Sequence, residues 1–140
     1  MIIVDTNAIS EPSKPVPDPA VLHWFHRQNF EDLYLTATSL AELHVGLESL
    51  PDGKRKNALR IDTIQLIESI FGPRILPFDE AAALAYGSLI PRMRQKRKQP
   101  SLADGQIASI ALVHGFTVAT RDTAPFLAAG LKVINPWSAT

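Results

Sequence analysis

Cysteine is absent from this chain of 140 residues, which excludes disulfide bonds and thiolate metal sites. No apolar run reaches the roughly 18–20 residues of a membrane-spanning helix. No basic segment precedes a long apolar stretch, as it would in a signal peptide. We therefore expect a soluble cytoplasmic protein with no membrane partner. Net charge is also lacking, because 14 acidic residues balance 14 basic ones, so total charge neither favours nor excludes nucleic acid as a partner.

Short apolar segments alternate with helical segments along the whole chain, and its length suits a single domain over residues 1–140. This alternation predicts an α/β fold in which a parallel sheet is covered on both faces. A loop rich in proline is predicted over residues 10–19, and Pro91 should kink or divide its helix. Strands are predicted at 2–5, 33–36, 74–78, 117–120 and 132–134, and the main helices at 41–50, 54–71, 79–94 and 101–114.

Four carboxylates stand at the predicted junctions between strands and helices. Asp5 closes the first strand, and Asp122 follows the fourth. Glu42 and Asp104 fall in the first turns of two predicted helices. In a right-handed βαβ arrangement the helix starts return to the edge where the strands end, so all four side chains should share one rim of the sheet.

Like charges gathered on one rim repel one another unless a cation is present. Carboxylate oxygens suit Mg²⁺ or Mn²⁺, and such an ion can activate water against a phosphodiester. The four acids therefore predict a metal-dependent phosphodiester hydrolase. Thr6, Asn7 and Thr120 could support this site by hydrogen bonding, or they could be ordinary turn residues.

Each acid also has a purely structural explanation. Asp5 could form an Asx-turn, and Asp122 could cap the short helix that follows it. Ser39-x-x-Glu42 fits a capping box, and Ser101-x-x-Asp104 is a shorter version of that motif. Caps have no reason to converge, whereas the ligands of one ion must converge. The joint arrangement therefore favours the metal site.

Basic residues are concentrated just before the helix that carries Asp104. The cluster, called the basic segment below, consists of Arg92, Arg94, Lys96, Arg97 and Lys98. We interpret it as a surface for RNA phosphates, whereas the structural alternative is that cations stabilise a helix C-terminus. Arg121 is a further candidate for RNA binding, with a surface salt bridge as its alternative.

Ordered motifs along the chain resemble those of one known family. The segment Ile2-Ile3-Val4-Asp5-Thr6-Asn7 is similar to the opening of PIN-domain proteins, and the other three acids lie in matching motifs. Those motifs are Thr38-Ser39-Leu40-Ala41-Glu42, Ala103-Asp104-Gly105-Gln106 and Ala119-Thr120-Arg121-Asp122. Within that superfamily the chain most resembles toxins of VapBC-type toxin–antitoxin pairs, and Ile75–Asp79 and Asn135–Trp137 look like the FitB branch.

The resemblance implies a three-layer α/β/α domain with a mainly parallel sheet of about five strands. It implies a ribonuclease dependent on Mg²⁺ or Mn²⁺, with Asp5, Glu42, Asp104 and Asp122 as its acids. It also implies a homodimer and a cognate antitoxin. The C-terminal segment of the antitoxin would wrap the toxin and block its site, and its DNA-binding domain would contact operator DNA.

Two alternatives compete with a ribonuclease toxin. The chain could serve mainly as the antitoxin-bound component of an autorepressor complex that binds DNA, with little nuclease activity of its own. It could also be a phosphatase of small metabolites. The phosphatase is less favoured, because Asn7 stands where a D-x-D motif would place its second acid.

Overall fold

The computed structural model describes residues 1–139, and its centre is a sheet of five parallel strands. The strands lie in the order β3-β2-β1-β4-β5, and every neighbouring pair is parallel. This confirms the predicted parallel sheet. The strands are β1 (Ile2–Val4), β2 (Leu33–Thr36), β3 (Ile75–Leu76), β4 (Thr117–Ala119) and β5 (Val133–Ile134).

Helices connect and cover these strands. They are α1 (Thr6–Ser10), α2 (Pro19–His26), α3 (Ala37–Glu48), α4 (Lys54–Phe71), α5 (Glu80–Gln95), α6 (Leu102–His114) and α7 (Ala124–Ala128), with short 3-10 helices at Glu11–Ser13 and Phe30–Asp32. None of the helices in residues 1–139 is long and apolar enough to cross a membrane.

Two proline predictions were wrong in part. Part of the predicted 10–19 loop is helical, because Pro12 lies in the first turn of its 3-10 helix, where a backbone N–H is not needed. Helix α5 also runs through Pro91 without a division. Pro91 has no backbone N–H, so the Gly87 carbonyl lacks its usual hydrogen-bond donor within the helix. Both residues are exposed, so water can donate to that carbonyl instead.

The core has two parts, one on each face of the sheet. Neighbouring side chains of β1 point to opposite faces, so Val4 belongs to one cluster and Ile3 to the other. The Val4 cluster includes residues of α1, α2, α3 and α4, whereas the Ile3 cluster includes residues of α5, α6 and α7. Burial on both faces explains why the strands are short and continuously apolar. The three-layer α/β/α prediction is confirmed.

Strand β1 lies at the point where the order of the chain reverses. The chain moves outward from β1 through β2 to β3, and then returns to place β4 on the other side of β1. In open parallel sheets, ligands bind at the carboxyl ends of the strands beside such a switch point. The ends of β1 and β4 therefore form the expected position for a site.

Candidate active site

Asp5 occupies the centre of the rim, directly after β1. It caps α1, and its Oδ1 accepts a hydrogen bond from the backbone N–H of Thr6 at 2.8 Å. Its Oδ2 accepts a second from the Thr120 hydroxyl, also at 2.8 Å. Asp5 is only 6% exposed, and burial raises its pKa above the ordinary value despite these hydrogen bonds. The charges of Glu42 and Asp122 raise that pKa further.

Thr120 connects Asp5 to Asp122. The Thr120 side chain is fully buried, and its Oγ1 accepts a hydrogen bond from the backbone N–H of Asp122 at 3.2 Å while donating to Asp5. Helix α7 takes Thr123 as its N-cap, so the structural explanation of Asp122 as a cap was wrong. The Asp122 carboxylate is exposed on the rim.

Glu42 reaches the rim from α3, but by a route that the sequence did not predict. Helix α3 begins at Ala37, capped by Thr36, whose Oγ1 accepts from the Ser39 backbone N–H at 3.0 Å. Glu42 therefore lies in the second turn, and the predicted capping box with Ser39 was wrong. Its Oε1 instead accepts a hydrogen bond from the Thr6 hydroxyl at 2.9 Å. Helix α3 begins before the predicted position, so Thr36 and not Ser39 occupies the capping position and accepts from an N–H of the first turn.

Asp104 lies in the first turn of α6, as predicted. Ser101 caps this helix, and its Oγ accepts from the Asp104 backbone N–H at 3.1 Å. The Asp104 side chain is half-buried, and burial is the main cause that raises its pKa to about 6. Repulsion from Asp5 contributes next and is partly offset by the hydroxyl of Ser101, while Asp122 and Glu42 add smaller repulsions.

Asp5 and Asp104 each lie within electrostatic reach of the other three carboxylates or of two of them: the pKa of Asp5 is raised by Glu42 and Asp122, and that of Asp104 by Asp5, Asp122 and Glu42. Within residues 1–139, however, no three acidic or histidine side chains already lie close enough to enclose an ion. Mg²⁺ keeps several of its own waters and binds proteins through one or two carboxylates, so such an ion does not need three protein ligands already in place. Burial is the main cause of the raised pKa values at Asp5 and Asp104, and the charges of the neighbouring carboxylates add to it, an effect that a bound cation would offset. The donor set therefore fits a hard divalent cation.

The other predicted residues are arranged unequally around this rim. Thr6 and Thr120 hydrogen-bond to the acids, whereas Asn7 is exposed on α1. Lys98 lines a cavity of about 380 Å³ together with Asp104 and Asp122. The other residues of the basic segment are exposed at the end of α5. The guanidinium of Arg121 lies 5.2 Å from the centre of the Trp137 ring, a cation–π contact where a surface salt bridge was the alternative.

Two residues behind the acids were not identified from the sequence. Gly105 allows α6 to approach α5, because a Cβ there would lie 2.8 Å from Cε2 of Tyr86. Gln106 accepts a hydrogen bond from the Thr38 hydroxyl at 2.9 Å, which joins α6 to α3. A glycine in a helix next to an acid is a usable signal of close packing, since alanine is favoured there otherwise. The Thr38–Gln106 contact had no such signal.

Comparison with known proteins agrees with this geometry. The model of the PIN domain family matches residues 2–130. VapC ribonuclease Y4jK of Sinorhizobium fredii is 47% identical over 98% of both chains, and toxin FitB of Neisseria gonorrhoeae is 45% identical over 98% of this chain and 99% of its own. The structure of FitAB bound to an IR36 DNA fragment superimposes with a TM-score of 0.95 at 44% identity, over 100% of this chain and 98% of that one. The chain belongs to the PIN-domain family and is similar to its VapC and FitB toxins.

Proposed function

We propose that this protein is a metal-dependent endoribonuclease that acts as the toxin of a type II toxin–antitoxin pair. The observation that carries the proposal is the convergence of Asp5, Glu42, Asp104 and Asp122 on one rim at the switch point of the sheet. Similarity to proteins named as a ribonuclease and a toxin supports it.

Each acid has a distinct part in holding the cation and the RNA. Asp5 and Asp104 would be the inner ligands, since they are more buried than Glu42 and Asp122. Glu42 and Asp122 are outer ligands that act directly or through water. Bound Mg²⁺ or Mn²⁺ would polarise the scissile phosphate and make a water molecule a better nucleophile. Thr120 holds the Asp5 carboxylate in one orientation, and Thr6 does the same for Glu42.

Cleavage of RNA by the purified protein tests the proposal. With Mg²⁺ or Mn²⁺ the wild type should cut RNA, leaving 3′-hydroxyl and 5′-phosphate ends, and Asp5→Asn should not. Mapping the ends in total RNA after brief induction, with Asp5→Asn as the control, would identify the substrate. Equal cleavage by both proteins would show a contaminating nuclease and would remove the support for the proposal.

We place the antitoxin segment in an apolar groove beside Glu42. This groove of about 480 Å³ runs between α1, α3 and α4, and its apolar walls include Ile9, Leu43, Leu47, Leu59 and Leu66. Thr6 and Glu42 lie at its rim end, so a peptide bound there would reach the acids. The antitoxin would carry the DNA-binding domain, in keeping with the DNA-bound FitAB structure, and operator DNA would be contacted through it.

The alternative, an autorepressor component with little nuclease activity, predicts a different result in cells. Expression without the antitoxin should arrest growth if the protein is a ribonuclease, and Asp104→Asn should abolish the arrest. Growth unaffected by the wild type would favour the alternative. A homodimer in the cytoplasm also belongs to the proposal, and sedimentation of the purified protein tests the dimer.

A further inference from the structure

Helix α5 ends in a backbone conformation that its sequence does not favour. Arg97 has φ of 55°, and it is the one non-glycine residue with positive φ in the part of the chain that the structure describes. The backbone N–H of Lys98 donates to the Met93 carbonyl at 2.8 Å, which closes the helix as a Schellman motif does. Arg97 therefore occupies the position after a helix end where glycine is usual.

Helix α6 shows the ordinary solution in the same protein. Gly115 ends that helix with φ of 69°, and its backbone N–H donates to carbonyls in the last turn. A side chain in the left-handed region is disfavoured, because its Cβ crowds the carbonyl oxygen. Arg97 thus holds a backbone conformation that its side chain disfavours. Backbone strain of this kind is common at functional sites, which indicates a functional role for the Arg97 side chain or for the turn that it forms.

The turn places Lys98 beside the acids. Lys98, Asp104 and Asp122 line the same cavity of about 380 Å³, and Gln99, Pro100 and Ser101 complete its near wall. Lys98 nevertheless makes no salt bridge with either carboxylate. Among residues 1–139 the salt bridges involve Lys14, Lys56 and Arg60, so none of the five cations of the basic segment is neutralised by a carboxylate.

Exposed cations without acidic partners suit a polyanion. All five are exposed, and the two with side-chain hydrogen bonds use neutral acceptors, the Ser88 carbonyl for Arg92 and the Gln99 side chain for Arg94. The helix dipole accounts for Arg92 and Arg94 in the last turn of α5. It does not account for an arginine in a disfavoured conformation or for a lysine in the acidic cavity.

We infer that the turn Arg94–Lys98 docks the backbone of the RNA strand at the acidic cavity, with Lys98 contacting a phosphate next to the scissile one. Arg97, which directs the chain into the cavity wall, contacts the neighbouring phosphate. This inference rests on the proposed nuclease function and specifies how its substrate is held. Recognition is of the phosphodiester backbone, so it is independent of base sequence.

Two variants and a matched control test the inference. Lys98→Met removes the charge but keeps most of the apolar stem. Arg97→Gly removes the charge and also relieves the backbone, so its Tm should rise. Lys132→Met removes an exposed cation next to β5 at the opposite edge of the sheet and serves as the control. KM for a single-stranded RNA is measured with Mn²⁺, and Kd for the same RNA is measured by fluorescence anisotropy in EDTA, each over a salt series.

Lys98→Met and Arg97→Gly should each raise KM and Kd about fivefold, and each should reduce the slope of log K against log salt by about 0.7. Lys132→Met should leave both constants and the slope unchanged. If Arg97→Gly raises Tm with no change in RNA affinity, and Lys98→Met matches Lys132→Met, the inference is overturned. RNA that binds with these differences but is never cut would instead overturn the proposed function and leave the inference supported.

Discussion

The four carboxylates divide into an inner pair and an outer pair. Asp5 and Asp104 are buried or half-buried, and burial raises the pKa of each. Glu42 and Asp122 are exposed on the same rim. The inner acids come from a strand end and a helix start that pack directly against the core, whereas Glu42 lies in the second turn of α3 and Asp122 lies in the segment after β4. Position within the fold, and not residue type, separates the two pairs.

This difference indicates how the work of the site is shared. A buried carboxylate has lost its water and gains most from a cation, because electrostatic interactions strengthen as the surroundings become less polar. An exposed carboxylate remains hydrated, so it can change position when substrate binds at a small cost in free energy. We therefore expect the inner pair to determine metal affinity and rate, and the outer pair to refine them.

The strongest test replaces each acid by its amide. Asp5→Asn and Asp104→Asn should lower kcat on RNA at least about 100-fold, since each removes a charge that holds the cation. Glu42→Gln and Asp122→Asn should lower kcat about tenfold, because an outer acid would act on the cation mainly through water or through the inner ligands. Titration calorimetry with Mn²⁺ should show the same ranking. Equal losses in all four variants would remove the distinction between the pairs.

The packing behind the inner pair can be broken without touching an acid. Gly105→Ala should destabilise the protein by about 1–3 kcal/mol, because the added methyl group would overlap the ring of Tyr86. Gly87→Ala is the matched control. Its Cβ would meet no atom within 4 Å, so alanine should stabilise α5 by about 0.5–1 kcal/mol. Urea unfolding measures the free energy of unfolding of both variants. A Gly105→Ala protein as stable as the wild type would show that α5 and α6 can move apart.

Thr120 allows the link between the pairs to be removed. Thr120→Val keeps the shape of the side chain but leaves the buried Asp5 oxygen without its donor, which should cost about 1–2 kcal/mol. The pKa of Asp5 should rise further, because the lost hydrogen bond lowers it in the wild type. Thr120→Ser restores the hydroxyl and should retain both stability and activity. Loss of activity in the serine variant as well would assign the effect to packing.

The smallest expected effect is on how the free energy of unfolding depends on pH when divalent ions are absent. The folded protein holds a proton on Asp104 up to about pH 6, whereas an unfolded chain releases it near the ordinary value of 3.8. Stability should therefore fall as pH rises through this window, by about 1 kcal/mol after allowing for solvent screening of a half-exposed group.

Asp104→Asn should flatten that dependence and be the more stable protein above pH 6. Thermal melts from pH 4 to pH 7 in EDTA measure this dependence, with Asp62→Asn on α4 as the exposed control. Added Mn²⁺ should raise Tm more at pH 7 than at pH 5, because protons compete for the same carboxylates. An equal rise at both values would place the ion elsewhere.

The sequence was sufficient for the architecture of the rim. Alternating apolar and helical segments predicted the parallel sheet, and the bounds of β2 and α4 were predicted as the structure has them. The placement of the acids at one edge was predicted from topology alone, because parallel strands and returning helices share an edge. No contact had to be known for that conclusion.

The finer features depended on competition between similar local signals. Thr36 and Ser39 are both good caps, and only the packed position of α3 decides between them. The Thr6–Glu42 and Thr38–Gln106 hydrogen bonds join residues far apart in sequence, so no local sequence pattern predicts them. The predicted division of α5 at Pro91 was wrong for the opposite reason. Proline is a strong local signal for a helix break, but solvent can hydrogen-bond to the carbonyl that this proline leaves without a donor.

The hydrogen bond between Asp5 and Thr120 joins residues 115 positions apart. A chain still emerging from the ribosome therefore lacks part of the rim until synthesis has passed Asp122, and β1 has no β4 beside it until nearly the same moment. If the protein is the ribonuclease proposed above, nascent chains that end before Asp122 should not cleave RNA.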